Sequence, residues 1–410
     1  MLTASPLAAS EPGTPGNMGD VRRSNLALVL GRIADAPSGI HPSRAQVAAA
    51  TGLTKASVSS LVLELLSVGL VREVGLNQQG RGRPGVGLEL NPARAVLGME
   101  INVDYISVGV TDLAGQLVAR ETEERDNRSV GHDQVLAAVA ALAARMRRDA
   151  RARGIEVMGG GLAVPGLVDP GAARVLTAPN LGWTDVDLDL SALLPQVPLG
   201  VAVFNEANAA ARAELRHRPP GAADFLFVSG EVGVGGGLVI GGELFTGPEG
   251  HAGEVGHVVV DPDGVRCSCG GTGCLETVAG QDAIFAAAGI ATDTQTRSQS
   301  MAALVQALRD GDAKAVKAVE HAGRYLAVAT ASTARVMNIS AVVLGGHFAE
   351  LDPWLRAPLL DGLERHAPGR FTSGQVSMSA VGQAGALLGA AGSVVHALLE
   401  APHLLQSERA

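Results

Sequence analysis

One histidine and three cysteines crowd into the segment GEVGHVVVDPDGVRCSCGGTGCLE, where His257, Cys267, Cys269 and Cys274 give the spacing H-x9-C-x-C-x4-C. Zinc takes four nitrogen or sulfur ligands in a tetrahedron, and one imidazole with three thiolates completes a closed structural site with no open position for an activated water. That closure argues against a zinc-dependent hydrolase. Glycines 264, 270, 271 and 273 let so short a loop fold back on one ion. Three free buried thiols are the alternative, and His251 competes for the nitrogen position. A disulfide scaffold does not fit, because the number is odd and the opening MLTASPLAAS lacks the basic start and apolar core of a secretory signal. A cytoplasmic protein is expected.

A second chemistry is written near the start. Thr54 can cap a helix in which Val58, Leu61, Val62 and Leu65 form one apolar stripe, leaving Lys55, Ser57, Ser59 and Ser60 on or near the polar side. Short hydroxyl side chains and a lysine at a helix N-terminus suit a backbone lying deep in a DNA major groove. The preceding elements fit a helix-turn-helix. Asn25–Ala34 has helical apolar spacing, and Ser43 with Gln46 forms a capping box for a helix that ends at Gly52. Two apolar runs, Leu70–Val74 and Val86–Leu90, then flank GLNQQGRGRPG as a wing, with Arg81 and Arg83 at its tip to enter a minor groove or clamp phosphates. A small helical bundle with a solvated basic hairpin is the bland alternative.

Charge divides the chain in the same way. Residues 21–90 carry eight Lys or Arg against four acids, whereas the whole 410-residue chain carries −9. A basic head on an acidic body fits a nucleic-acid-reading module joined to something that does not bind nucleic acid. The expected organisation is a disordered tail over 1–20, a winged helix-turn-helix over 21–90, and a body over 95–410 with a metal loop at 251–276.

The body must position the metal loop. With 47% hydrophobic residues, 3% aromatics and 53 glycines, the composition of the whole chain suits an α/β protein. Strands are expected in Val96–Val110 with a turn near Asn102–Asp104, in MGGGLAVPGLVD, LGVAVFNE, DFLFVSG and SAVVLGGH, with helices near Asp133–Arg153 and in ANAAARAEL. Gly233–Gly237 and Gly345-Gly346 are two places where a backbone could approach phosphate, the former reading equally well as a tight hairpin. The apolar stretch Gly385–Leu399 contains His396 and is shorter than the roughly 20 residues a membrane span needs, so a buried helix is expected and no membrane partner.

Taken together, the segment GHAGEVGHVVVDPDGVRCSCGGTGCLE, FNEANAAARAE and Gly233–Gly237 resemble the ROK family of repressors and sugar kinases, and the head adds a resemblance to its repressor branch, across residues 21–395. The resemblance implies a two-lobed, actin-like (ribonuclease H-like, sugar-kinase-like) module and a homodimer or homotetramer. It also implies a small sugar between the lobes, double-stranded operator DNA as partner, and repression of carbohydrate uptake or catabolism genes. By the same resemblance the sugar contacts fall on Asn180, Asn205, Glu206, Glu254, His257 and Glu276, with His257 serving metal and sugar through its two ring nitrogens. The rival reading is an active ATP-dependent sugar kinase with an appended DNA-binding domain. Against it, Glu100-Ile101-Asn102-Val103-Asp104 stands where the kinases have Asp-x-Gly-Gly-Thr. Asn205-Glu206 replaces Asn-Asp, and Ser229-Gly230-Glu231 puts an acid where polyphosphate would lie. A displaced carboxylate costs on the order of a hundredfold in rate for about 1 Å, so no catalytic residue is assigned.

Overall fold

The computed structural model describes residues 18–37, 39–75, 86–218, 224–292 and 296–405. The first helix runs Met18–Ala34, so residues 18–20, expected in a disordered tail, are helical. Two shorter helices follow. Arg44–Thr51 is opened by the Ser43–Gln46 capping box and closed by Gly52 in the left-handed conformation, and Lys55–Ser67 is capped by the Thr54 side chain. Val71–Gly75 then pairs antiparallel with Val86–Leu90.

Two lobes of the same design come next. In the first, a five-stranded sheet starts from the central strand Arg94–Ile101, which pairs antiparallel with Tyr105–Asp112 on one side and parallel with Glu156–Val164 on the other. Leu117–Glu124 and Val201–Asn205 form its edges. In the second, Phe225–Gly230 holds the central place, antiparallel to Val234–Ile240 and parallel to Val342–Gly346, with Glu243–Phe245 and Val376–Met378 at the edges. Counted from the chain start within each lobe, both sheets have the order third, second, first, fourth, fifth strand. A small three-stranded sheet, Leu167–Asp169, Arg174–Ala178 and Trp183–Asp187, extends the first lobe.

Three elements join these parts. The helix Glu206–His217 carries Ala207, Ala210 and Ala211 toward the second sheet, where Phe225, Phe227 and Val239 pack. The helix Gly385–Glu400 lies on the first sheet so closely that backbone touches backbone. A Cβ on Gly161 of the sheet would sit 2.3 Å from the Ala390 carbonyl oxygen, and on the side of the helix Glu206–His217 one on Gly389 would sit 1.7 Å from the carbonyl oxygen of Ala209. Only with the preceding turn does the stretch Gly382–Glu400 become long and apolar enough to cross a membrane by composition, and 56% of its apolar window is buried inside the protein, as expected of a core helix. Its far end, Val394, Val395 and Leu398, shares one hydrophobic core with Leu26, Val29 and Leu30 of the first helix. The head is therefore packed onto the first lobe.

The third joint is a hairpin tip. Glu231, Val232 and Gly233 connect the two central antiparallel strands of the second lobe, and Val232 packs within the hydrophobic core of the first lobe. Gly235, Gly236 and Gly237 belong to the strand Val234–Ile240 and pair with Phe227, Val228 and Ser229, so the hairpin reading of these glycines holds and a phosphate-cradling loop does not. Packing is the reason for their small size, since a Cβ on each would stand 2.5–2.8 Å from Ala207, Val255 or Ala211.

Glycine substitutions separate packing from flexibility. Gly161→Ala should destabilise the protein by about 1–3 kcal/mol through overpacking. Gly31→Ala, in a helix with nothing within 4 Å of the added carbon, should stabilise it by roughly 0.5–1 kcal/mol. Thermal unfolding midpoints moving in opposite directions is the expected result.

Candidate functional site

His257, Cys267, Cys269 and Cys274 come together with all four ligand atoms within 4.8 Å of one another. His257 Nδ1 lies 3.7 Å from Cys267 Sγ, and the Sγ atoms of Cys269 and Cys274 are also 3.7 Å apart. A tetrahedron with zinc–ligand bonds of about 2.0–2.3 Å has edges of about 3.3–3.8 Å, so the donor set fits that ion. The sequence builds the cage locally. The turn Val255–His257 presents the imidazole, and paired bridges at Val259–Cys274 and Arg266–Thr272 fold the cysteine loop back on it. Gly273 takes a φ of +71° and lies against the Asp261 carbonyl, where a Cβ would be 1.6 Å from oxygen. Burial and the neighbouring thiols push Cys274 up to about 12, and the charge of a metal held here would favour its thiolate. His251 is not part of the cluster.

The residues that the resemblance assigns to sugar line up along the contact between the lobes. Asn180 sits in the turn Pro179–Leu181 of the first lobe, and Glu276 opens the helix Glu276–Ala279 of the second. They converge on Gly233, where a Cβ would lie 2.0 Å from Glu276 Oε2 and 3.0 Å from Asn180 Nδ2. Glu276 accepts from the Val234 amide at 3.1 Å and from Ser268 Oγ at 3.3 Å, which ties it to the cysteine loop. Glu254 Oε2 stands 3.9 Å from His257 Nε2, leaving Nδ1 on the metal side. Asn205 is more committed than its assignment implied. Its Oδ1 accepts from the Asn208 amide at 2.9 Å, capping the helix Glu206–His217, and its Nδ2 donates to the Gly166 carbonyl at 2.8 Å. Burial pushes Glu206 well above the ordinary carboxylate range, and Glu231, Glu100, Glu254 and Glu276 add to the shift.

Beyond Glu206 the cleft is acidic where a kinase handles phosphate. Glu100 is 3% exposed; Tyr105 donates to its Oε1 at 2.7 Å, while its Oε2 is buried without a hydrogen-bond partner. Desolvation raises Glu100 to about 6, and desolvation reinforced by Glu100 and Asp104 raises Glu231 to about 8. Asn102, at the position of a kinase glycine, turns its Oδ1 onto the Val103 amide at 2.7 Å. Asp104 is reached from the second lobe by Arg297, whose Nε lies 2.8 Å from Asp104 Oδ2 while its Nη1 holds Asp282 at 2.7 Å.

In the head, Lys55, Ser57 and Ser60 are exposed and Ser59 is half-buried, with Ser57 Oγ held 2.9 Å from Thr54 Oγ1. Arg81 and Arg83 lie outside the described residues. Val232 at the tip and the interlobe Arg297 were not foreseen in the sequence, since each gains its role from a partner far along the chain. Gly233 and Glu100 were singled out, but the pairing of Glu100 with Tyr105 five residues on was not.

Two lobes of repeated sheet order around an acidic cleft, edged by a histidine–cysteine metal cage, define the sugar-kinase-like class. The chain belongs to the ROK family, whose model matches residues 96–396. It is 30% identical over 318 residues to the xylose repressor of Bacillus spizizenii (strain ATCC 23059 / NRRL B-14472 / W23), covering 76% of this chain and 79% of that protein. Among solved structures, a ROK family transcriptional regulator described as a homologue of E. coli MLC protein superposes with a TM-score of 0.73 at 25% identity. That match covers 95% of this chain and 98% of the other. A ROK family glucokinase from Streptomyces griseus in complex with glucose and AMPPNP gives 0.61 at 27% identity, covering 72% and 98%.

The metal cage makes its own prediction. Metal analysis of the purified protein should return one zinc per chain, and Cys274→Ser should lower that content to a small fraction. Full zinc retention by Cys274→Ser would remove this residue from the cage.

Proposed function

We propose that this protein is a sugar-responsive, DNA-binding transcriptional repressor of carbohydrate uptake or catabolism genes, acting in the cytoplasm as a homodimer or homotetramer. The observation that carries this reading is the shared core between head and first lobe, in which Leu26, Val29 and Leu30 pack with Val394, Val395 and Leu398. It gives the sugar cleft a mechanical hold on the head. Residues 21–90 act as a winged helix-turn-helix, with Lys55, Ser57, Ser59 and Ser60 toward the major groove and Arg81 and Arg83 as wing residues. Residues 95–410 act as the sensor, in which Asn180, Asn205, Glu206, Glu254, His257 and Glu276 hold the sugar. Zinc, when bound, supplies a fixed positive centre that orders the loop carrying His257 and Glu276.

Sugar binding across the two lobes favours one lobe arrangement over the other, and the head follows the first lobe, which alters the spacing of paired heads on an operator. A ligand shifts that balance only through different affinities for the two arrangements, so sugar and DNA must affect each other's affinity by the same factor. No catalytic residue is proposed. Glu206, Glu231 and Asn102 occupy three separate places that phosphoryl transfer would need: Glu206 displaces the carboxylate of the expected Asp, Glu231 adds an acid where polyphosphate would lie, and Asn102 stands for a glycine.

Fluorescence anisotropy on the gene's own upstream DNA, repeated with a panel of pentoses, hexoses, amino sugars and their phosphates, tests this. Operator affinity should change about tenfold or more with one member of the panel, a coupling of roughly 1.4 kcal/mol. Absence of DNA binding by zinc-loaded protein, or sugar-dependent release of ADP from ATP, would overturn the reading. Lys55→Ala should weaken binding to all sequences alike and reduce the salt dependence by about one counterion.

A further inference from the structure

We propose, resting on the sensor reading above, that Arg297 and Asp104 form a latch that holds the two lobes in contact before any ligand arrives and so sets the sugar concentration at which the sensor responds. Arg297 opens the helix Arg297–Arg309, whose Met301, Leu304 and Leu308 belong to the core of the second lobe. Asp104 lies in the turn between the strands Arg94–Ile101 and Tyr105–Asp112, next to Val103 in the core of the first lobe.

Each half is built rigid by its own lobe. Asp282 holds the Arg297 guanidinium through two hydrogen bonds, from Nη1 to Oδ1 at 2.7 Å and from Nη2 to Oδ2 at 3.0 Å, which leaves Nε for the first lobe. On the other side the fully buried Asn127 fixes the turn. Its Nδ2 donates to the carbonyls of Asn102 at 2.6 Å and Tyr105 at 3.1 Å, and the Arg125 amide donates to the Asp104 carbonyl at 2.9 Å. Groups held in place in advance lose little freedom when they meet. Across the lobes, Arg297 Nε stands 2.8 Å from Asp104 Oδ2, and beside it Ser298 Oγ donates to Glu124 Oε1 at 3.3 Å.

The latch has a defined breaking point. Arg297 grips Asp282 as a two-bonded fork, whereas its Nε meets Asp104 as a close pair of charges without hydrogen-bond alignment. The weaker attachment yields first, so separation occurs at Asp104 and leaves the arginine with the second lobe. The chain crosses between the lobes at the helix Glu206–His217 and again between the strand Val376–Met378 and the helix Gly385–Glu400. Asp104, Glu124, Arg297 and Ser298 lie on neither crossing, so the latch can part while both connections stay whole.

Removing the arginine alone does more than delete a contact. The other cation near Asp104, Arg128, is 3.8 Å away, and Asp126 and Glu231 face the same carboxylate. A half-buried carboxylate left in that setting is relieved by water, which reaches it when the lobes part. In the latched arrangement Asn180 of the first lobe and Glu276 of the second stand together at Gly233. A sugar that needs both is bound by the latched population, and its apparent affinity falls with the fraction of molecules that are latched.

Small-angle X-ray scattering of the zinc-loaded full chain without ligand tests the latch on wild type, Arg297→Ala, Asp104→Asn and the double variant, with zinc content and unfolding midpoints checked alongside. Each single variant should raise the radius of gyration. The double variant should show no more than the larger single change, because both substitutions remove one contact. Arg297→Lys, which keeps the charge and loses the two-bonded grip on Asp282, should fall between wild type and Arg297→Ala. Titration with the sugar to which wild type responds should show about a fivefold or greater loss of affinity in Arg297→Ala. Unchanged scattering in both single variants, or single effects that add in the double, would overturn the latch and leave the sensor reading standing. A wild-type chain that binds no sugar would overturn the sensor reading, while the scattering still decides the latch.

Discussion

Val232 is the smallest part of the molecule on which most of the rest depends. It sits at the tip of a hairpin that belongs to the second lobe, yet its side chain packs in the core of the first. Burying one valine is worth only about 1.5–3 kcal/mol, but its neighbours convert that contact into a site. Glu231 on one side enters the acidic part of the cleft, and Gly233 on the other leaves room for Asn180 and Glu276 to meet. The hairpin tip is thus a pivot with the Asn180–Glu276 pair on one flank and the buried carboxylates Glu100, Glu206 and Glu231 on the other.

The cysteine cluster was legible because its members are close in sequence and three thiols with an imidazole form a metal donor set. The capped helices of the head were legible for a similar reason, since Ser43 with Gln46 and Thr54 with Ser57 are interactions within four residues. Less visible was the duplication of the two sheets, which share a strand order but no repeated sequence pattern. The glycines of Gly235–Gly237 carried a double meaning. Close packing against a helix and close approach to a phosphate both demand the absence of a side chain, and only the position of Ala207 and Ala211 decides between them. Asn205 shows the opposite limit: its amide was assigned to sugar, while local geometry gives much of it to a helix cap and the Gly166 carbonyl.

Acid replaced neutral or smaller groups at several points of the same cleft, and the consequences reinforce one another. Buried carboxylates with few counter-charges remain protonated at pH values where exposed ones are ionised. The cleft therefore holds protons on its carboxyl groups, and Tyr105 donates to one of them. A site with these properties still has hydrogen-bonding capacity for a polyol.

The packing of the first helix against Val394, Val395 and Leu398 also sets an order of assembly. The head is made first on the ribosome, but part of its core is supplied by a helix made hundreds of residues later. Within the head the first helix also packs with Val47, Val58, Leu61 and Leu65, so a head made alone keeps part of its core and lacks the part that Val394, Val395 and Leu398 supply. A chain that ends before that helix thus leaves apolar surface on the head uncovered, the kind of surface that draws unfinished chains into aggregates.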